Sequence, residues 1–175
     1  MKKIILVGSS IFEAWGIPAG LDRTYSIRNR AVGGTITSYW RQSILPALAN
    51  ETPDAVLYYC GSNDINENVP AQEIIANTLH CRQIIRSAHP TARFAYFGII
   101  KAPQKLGKWD LIDSLNSTIQ LSLGADDLYI ESNHVFLKNG HPPEKYYIED
   151  GLHLTSEAYA ALSAYGTPII TSWLG

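Results

Sequence analysis

Short apolar runs alternate with longer amphipathic stretches along the chain. The short runs are predicted to be strands: Lys3–Val7, Ser26–Val32, Ala55–Tyr59, Phe94–Phe97 and Leu128–Ile130. The stretches between and after them are predicted to be helices: Thr37–Ala49, Ala71–Ala88, Trp109–Leu121 and Ser156–Leu174. Because strands alternate with helices, we expect βαβ units and therefore an α/β fold, a parallel sheet with helices on both faces.

Several boundaries carry local signals. Thr155 is a suitable N-cap for the last helix, and Pro168 is expected to kink or interrupt that helix. The helix before Pro90 should end at His89, because the residue before a proline is disfavoured in the α region. The segment from Glu131 to Leu154 contains Gly140, Gly151 and two prolines, 142 and 143. It is predicted to be a long irregular loop, and such loops are often functional.

Composition limits the class of protein. The length of 175 residues fits one domain, residues 1–175, that is long enough to bury a core. A net charge of −2 without a basic patch argues against nucleic acid as a partner.

The apolar run after Met1 is too short for a signal peptide, and no run reaches the roughly 20 residues of a membrane span, so we expect a cytoplasmic protein. Cys60 and Cys81 are predicted to be buried thiols, and no Cys/His spacing indicates a metal site.

Glycines and polar residues cluster after the first, second, third and fifth predicted strands, in the last case within the long loop. The clusters are 8–10 (Gly-Ser-Ser), 33–35 (Gly-Gly-Thr), 61–64 (Gly-Ser-Asn-Asp) and 150–153 (Asp-Gly-Leu-His). The carboxyl ends of parallel strands meet at one edge of a sheet, where open α/β sheets bind their ligands. We therefore expect all four clusters to contribute to one site.

These residue types at one sheet edge point to acyl transfer. The hydroxyl of Ser10 is a weak nucleophile until a base removes its proton, and His153 is the candidate base because imidazole titrates near neutral pH. Asp150 can orient the ring and stabilise the imidazolium. The tetrahedral intermediate also needs hydrogen-bond donors, for which the candidates are the backbone N–H groups of Ser10 and Gly34 and the side-chain amide of Asn63.

The four clusters resemble the sequence blocks of the SGNH hydrolases, also called the GDSL esterase/lipase superfamily, and the resemblance covers essentially the whole chain. It implies the catalytic triad Ser10, Asp150 and His153, and an oxyanion hole of Ser10, Gly34 and Asn63. It also implies a three-layer α/β/α sandwich of the flavodoxin-like type, with five parallel strands in the order 2-1-3-4-5. Members of this family hydrolyse carboxylic esters and need no cofactor.

Two positions depart from the common family pattern. Ser9 replaces the aspartate of the usual Gly-Asp-Ser. Thr35 follows Gly34, which matches the glycine of the family's second sequence block, at a position where other members often have an acid. The Gly-Ser-Ser form, with Ile11 and Trp15 after it, resembles a branch of acetyl-esterase-like members. We expect Ser9 to hydrogen-bond the turn without adding charge, which would leave a less negative loop around the nucleophile.

Other residues keep alternative interpretations. Gly33 is the rival of Gly34 as the oxyanion donor. Trp15 and Tyr147 are candidate substrate-binding residues, although aromatic residues at helical spacing usually belong to the core. Asp64 is expected to fix a turn rather than to react.

The absence of a lid-like insertion between the clusters predicts a shallow, open pocket. Such a pocket favours short acyl groups, acetyl first, on small alcohols or sugars, so the sequence predicts a serine esterase with a small-molecule ester substrate. Hydrolysis of lysophospholipids or thioesters by the same triad is an alternative. A flavodoxin-like binding module without activity is another.

Overall fold

A computed structural model describes all 175 residues of the chain. Its centre is a five-stranded sheet in the order β2-β1-β3-β4-β5, in which every neighbouring pair is parallel. The strands are β1 (Lys3–Gly8), β2 (Ser26–Asn29), β3 (Ala55–Tyr59), β4 (Arg93–Phe97) and β5 (Leu128–Ile130). This arrangement confirms the predicted fold class and the predicted strand order.

Helices connect the strands and cover the sheet. They are α1 (Ser10–Trp15), α2 (Thr37–Ala47), α3 (Ser62–Asn66), α4 (Ala71–Ala88), α5 (Trp109–Ser122), α6 (Asn133–Phe136) and α7 (Ser156–Leu174), with 3₁₀ helices at Pro103–Lys108 and Glu144–Tyr146. None of these helices combines the length and the apolar character that crossing a membrane would require.

The two faces of the sheet are buried by different helices. Ile4 and Leu6 of β1 belong to one core cluster, which also contains side chains of α1 and α7. Ile5 and Val7, which point the other way because strand side chains alternate, belong to a second cluster with side chains of α2 and α4. All four β1 side chains are fully buried, and burying each one contributes about 1.5–3 kcal/mol. The continuous apolar run of β1 thus follows from its central position in the sheet.

Strand β2 is shorter than predicted, since it ends at Asn29 and not at Val32. The side chain of Asn29 donates to the carbonyl oxygens of Phe12 (2.7 Å) and Gly16 (2.8 Å), and its Oδ1 accepts from the Ala31 amide (3.0 Å). The last of these bonds turns the backbone out of the extended geometry, and the first two fasten the end of β2 to the end of α1.

In the C-terminal part, the prediction for the segment 131–154 is wrong, and the interruption that was one of the two outcomes predicted at Pro168 does not occur. The segment 131–154 is not irregular throughout, because α6 and the 3₁₀ helix Glu144–Tyr146 lie within it. Helix α7 is not interrupted at Pro168, because Leu162 and Ile170 anchor it in the same core cluster on both sides of the proline. The predicted N-cap is confirmed: the Thr155 hydroxyl accepts from the amide of Ala158 (3.3 Å).

Candidate active site

The end of β1 is shaped by a close approach of two backbones. A Cβ atom on Gly8 would lie 2.0 Å from the carbonyl oxygen of Tyr59 on β3, so no other residue fits at this position. The amide of Ser9 donates to the same oxygen (3.1 Å), and α1 begins at the next residue. This turn places Ser10 at the carboxyl edge of the central strands, where the sequence predicted it.

The loop between Tyr147 and α7 brings an imidazole to this serine. The Nε2 atom of His153 lies 3.1 Å from Ser10 Oγ, and its Nδ1 atom lies 2.5 Å from Oδ2 of Asp150. Oδ1 of Asp150 accepts from the amides of Leu152 and His153, each at 2.9 Å. The hydrogen bond from the imidazole, helped by these amides, lowers the pKa of Asp150 to about 2. An ionised Asp150 only accepts, so the ring proton is on Nδ1, and Nε2 is free to accept the proton of Ser10.

Loops with free hydrogen-bond donors lie on both sides of Ser10. The backbone N–H groups of Ser10 and Gly34 donate to no acceptor in the protein, and Gly34 is held at a φ of +76°. The side-chain amide of Asn63 uses one N–H on the carbonyl oxygen of Thr35 (3.0 Å), which leaves the other available. Because β1 lies between β2 and β3, the loops that carry Gly34 and Asn63 flank Ser10. These three N–H groups are therefore candidates for binding an oxyanion formed at Ser10.

The sequence also matches a known family. The model of the GDSL-like lipase/acylhydrolase family matches residues 6–161, most of the chain. The chain belongs to this family. The resemblance stated from the four clusters is therefore confirmed. No curated protein sequence matches this family member.

Solved structures of the same fold include several esterases. A GDSL-like lipase from Bacteroides thetaiotaomicron superimposes with a TM-score of 0.80 at 18% identity, over 98% of this chain and 88% of that chain. An acetyl esterase solved with an acetate ion gives a TM-score of 0.75 at 19% identity, over 99% and 98% of the two chains. A carbohydrate esterase of family 3 from Talaromyces cellulolyticus gives 0.74 at 19% identity, again over 99% and 98%. At such low identity, the likeness establishes the shared fold.

Thr35 supports the loop between β2 and α2, which carries Gly34, in a way that the sequence did not reveal. Its hydroxyl donates to the carbonyl oxygen of Val32 (2.8 Å) and accepts from the buried indole N–H of Trp40 (2.9 Å). Its own carbonyl oxygen accepts the bond from Asn63. Thr35 therefore links the loop of Gly34 to helix α2 and to the side chain of Asn63. The only signal in the sequence was the departure from the usual acid at this position.

Asp64 connects two helices beside the site. Its fully buried carboxylate accepts from the amide of Thr37 (3.0 Å) and from the Thr37 hydroxyl (2.5 Å), at the first residue of α2. Burial raises the pKa of Asp64, and the bonds from Thr37 oppose that rise. The residue is structural, as expected, but it fixes the start of α2 rather than its own turn. This contact holds α3, which carries Asn63, next to the end of the loop that carries Gly34.

Three predicted contributions are not found at the site. Trp15 lies in the core, 7% exposed, with its indole N–H donating to Ser163 Oγ (2.9 Å). Tyr147 is also buried and packs near Phe136, since burial of these large apolar rings is favourable. Because both side chains are buried, neither is available to contact a substrate. The hydroxyl of Ser9, 2% exposed, makes no hydrogen bond to the turn, contrary to the expectation from the sequence.

Proposed function

We propose that this protein is a serine esterase that forms an acyl-enzyme on Ser10 and hydrolyses short-acyl esters, chiefly acetyl esters of small alcohols or sugars. The observation that carries the proposal is the 3.1 Å contact between Ser10 Oγ and His153 Nε2, on a ring that Asp150 orients. A hydroxyl, a base and an orienting acid in this order form the arrangement that activates a serine nucleophile.

The chemistry follows from these contacts. Ser10 Oγ attacks the ester carbonyl carbon while its proton passes to Nε2 of His153. The carbonyl oxygen becomes an oxyanion that accepts from the amides of Ser10 and Gly34 and from the side chain of Asn63. The intermediate collapses, the bond to the alcohol oxygen breaks, and His153 returns the proton to that oxygen. Water, deprotonated by His153, then attacks the acyl-enzyme, releases the carboxylic acid and restores Ser10.

An open site supports the preference for short acyl groups. The side chains of His153 and Asp150 are 41% and 39% exposed, so no lid shields the triad from solvent. A long acyl chain gains binding energy only where it can be buried, whereas an acetyl group needs little apolar surface. The acetyl esterase and the carbohydrate esterase that share the fold support the same direction.

Active-site labelling together with an ester panel tests the proposal. We expect a fluorophosphonate probe to label the wild-type protein and not Ser10→Ala, and kcat/KM on p-nitrophenyl esters to fall from acetate to decanoate. A rise toward decanoate would overturn the short-acyl preference. Acetyl thioesters and lysophospholipids in the same panel separate the alternative hydrolases, and folded wild-type protein that resists the probe would favour a binding module.

A further inference from the structure

Helix α2 begins without a cap of its own. The residue at its N-cap, Ile36, has an apolar side chain that makes no capping bond, so the first N–H groups of the helix need other acceptors. Both carboxylate oxygens of Asp64, which belongs to α3, accept from the amide of Thr37, at 3.1 and 3.0 Å. The carboxylate also lies at the positive end of the helix dipole. The start of α2 is thus fixed by the residue that directly follows Asn63.

A second buried side chain reaches the same point from α4. Asn77, 2% exposed, donates from Nδ2 to the hydroxyl oxygen of Thr37 (3.2 Å), and its Oδ1 lies 3.4 Å from Nη1 of Arg41. A guanidinium has only donors, so the oxygen of the Asn77 amide faces Arg41 and the nitrogen faces Thr37. Since the Thr37 hydroxyl accepts from Asn77, its own proton is directed to Oδ1 of Asp64 (2.5 Å). The four side chains form a network whose hydrogen bonds all run in one direction, from Arg41 to Asp64.

This network ends between two of the proposed oxyanion donors. Asn63 precedes Asp64 on α3, and Gly34 lies three residues before Thr37. Asn63 donates to the carbonyl oxygen of Thr35, and the next residue of α3 accepts from Thr37, so two links join the same two segments. One link would allow the segments to rotate about it, whereas two links fix their orientation as well as their distance.

We propose that Asn77 is a positioning residue for the esterase reaction, an inference that rests on the proposed function. Asn77 orients the hydroxyl of Thr37 towards Asp64 and so keeps the two segments locked. The backbone amide of Gly34 and the side-chain amide of Asn63 are thereby held at one spacing. The oxyanion is present in the transition state and not in the bound ester, so this support acts on kcat and not on KM.

Exchanging the two ends of the bonded series tests its direction. In Asn77→Asp a carboxylate replaces the donor, and the single hydroxyl proton of Thr37 cannot serve two carboxylates. In Asp64→Asn either orientation of the new amide sets a donor against a donor of Thr37. In the double variant the bonds run in reverse: the amide at position 64 donates to the Thr37 hydroxyl, which donates to the carboxylate at position 77, beside Arg41.

Steady-state kinetics on p-nitrophenyl acetate and urea unfolding are measured on the wild type, both single variants and the double variant. We expect each single variant to lower kcat about tenfold with KM within about twofold, which is part of the 10²–10³-fold that one whole oxyanion donor contributes. The double variant should return to within about threefold of the wild type. Thr78→Val is the matched control, because Thr78 is the next residue of α4, is fully buried and has a hydroxyl without a hydrogen-bond partner. Its kcat should equal that of the wild type.

The opposite results are equally clear. A double variant that is as slow as the single variants, or slower, would overturn the inference, and so would single variants with the kcat of the wild type. A double variant that regains the stability but not kcat would show that the network supports the fold alone. If a single variant does not fold, kcat of the double variant against the wild type decides by the same limits. A folded wild-type protein that does not hydrolyse the ester would instead overturn the proposed function, and this inference with it.

Discussion

The side-chain amide of Asn63 donates a hydrogen bond to the main-chain oxygen of Thr35, with a distance of 3.0 Å between the two atoms. This bond restricts rotation of the carboxamide and commits one of its two N–H groups. It also links α3 to the loop that carries Gly34, so that two proposed oxyanion donors share one support. The strength of the proposed oxyanion hole therefore depends on residues that do not touch the substrate.

Replacing Asn63 by alanine should lower kcat on p-nitrophenyl acetate by about 10²–10³-fold with a small effect on KM, because one oxyanion donor acts mainly in the transition state. Steady-state kinetics at saturating ester measure the effect. Asn66→Ala is the matched control, since Asn66 is on the same helix but donates to Gln104 (3.3 Å). A loss in Asn63→Ala no larger than that of the control would remove Asn63 from the oxyanion hole.

Replacing Thr35 by valine should lower kcat about tenfold and destabilise the fold by about 1–3 kcal/mol. The variant keeps the shape of the side chain but leaves the buried indole N–H of Trp40 without an acceptor, and an unsatisfied buried donor costs about that much. Thr35→Ser keeps the hydroxyl and should keep both properties. Urea unfolding and ester kinetics on the pair measure the two effects. Equal behaviour of the two variants would show that the hydroxyl does not support the loop.

The sequence predicted the parts of the molecule that repeat a simple physical pattern. The apolar run of β1 implied a strand buried on both faces, and its abrupt end at Gly8 implied a turn at the sheet edge. Ser10 and His153 are 143 residues apart, yet the rule that strand ends share one edge brings their loops together. The alternation of strands and helices and the four polar clusters were therefore enough for the fold and for the proposed triad.

Contacts between side chains of different elements could not be predicted in this way. The pairing of Asp64 with Thr37 depends on how α3 packs against α2, which no periodicity encodes. Trp15 looked like a pocket residue because it lies close to Ser10 in the sequence, but its face of α1 turns into the core. Helix α7 continues through Pro168 because packing on both sides outweighs the lost backbone bond.

Replacing Asp150 by asparagine should lower kcat at pH 7 by about 10³–10⁴-fold. The amide N–H₂ of asparagine would face Nδ1 of His153 and favour the tautomer whose Nε2 carries the proton, so that the ring could no longer accept from Ser10. The comparison uses p-nitrophenyl acetate and requires an unchanged circular dichroism spectrum of the variant. Activity within about tenfold of the wild type would show that His153 does not need this partner.

Protonation of Asp150 should also lower the stability of the protein at acid pH. The pKa of Asp150 is about 2 in the folded protein, below the ordinary value of 3.8. The unfolded chain therefore takes up this proton first as pH falls, and the stabilising contribution of the carboxylate is lost between about pH 4 and pH 2. Urea unfolding at several pH values should show that the stability gap between wild type and Asp150→Asn narrows in that range. A gap that stays constant from pH 6 to pH 2 would contradict the prediction.

Lys105 is a buried lysine without an acidic partner. It lies in the 3₁₀ helix Pro103–Lys108, 2% exposed, and its ammonium group donates to Oε1 of Gln104 (2.8 Å). Burial lowers the pKa of Lys105 from 10.5 to about 8. At pH 7 the folded protein therefore holds a charged group that would be better solvated in the unfolded chain.

Replacing Lys105 by methionine should stabilise the protein at pH 7 by about 2 kcal/mol, since the shift in pKa corresponds to about 3 kcal/mol and the lost hydrogen bond offsets about 1 kcal/mol. As pH rises from about 8 to 10.5, the folded wild type releases this proton before the unfolded chain does, so its stability rises and the advantage of the variant shrinks. Urea unfolding at pH 7 and pH 9.5 measures both effects. Lys108→Met, an exposed position in the same helix, should show no such dependence on pH. A Lys105→Met variant that is less stable than the wild type at both pH values would mean that the ammonium group stabilises the fold.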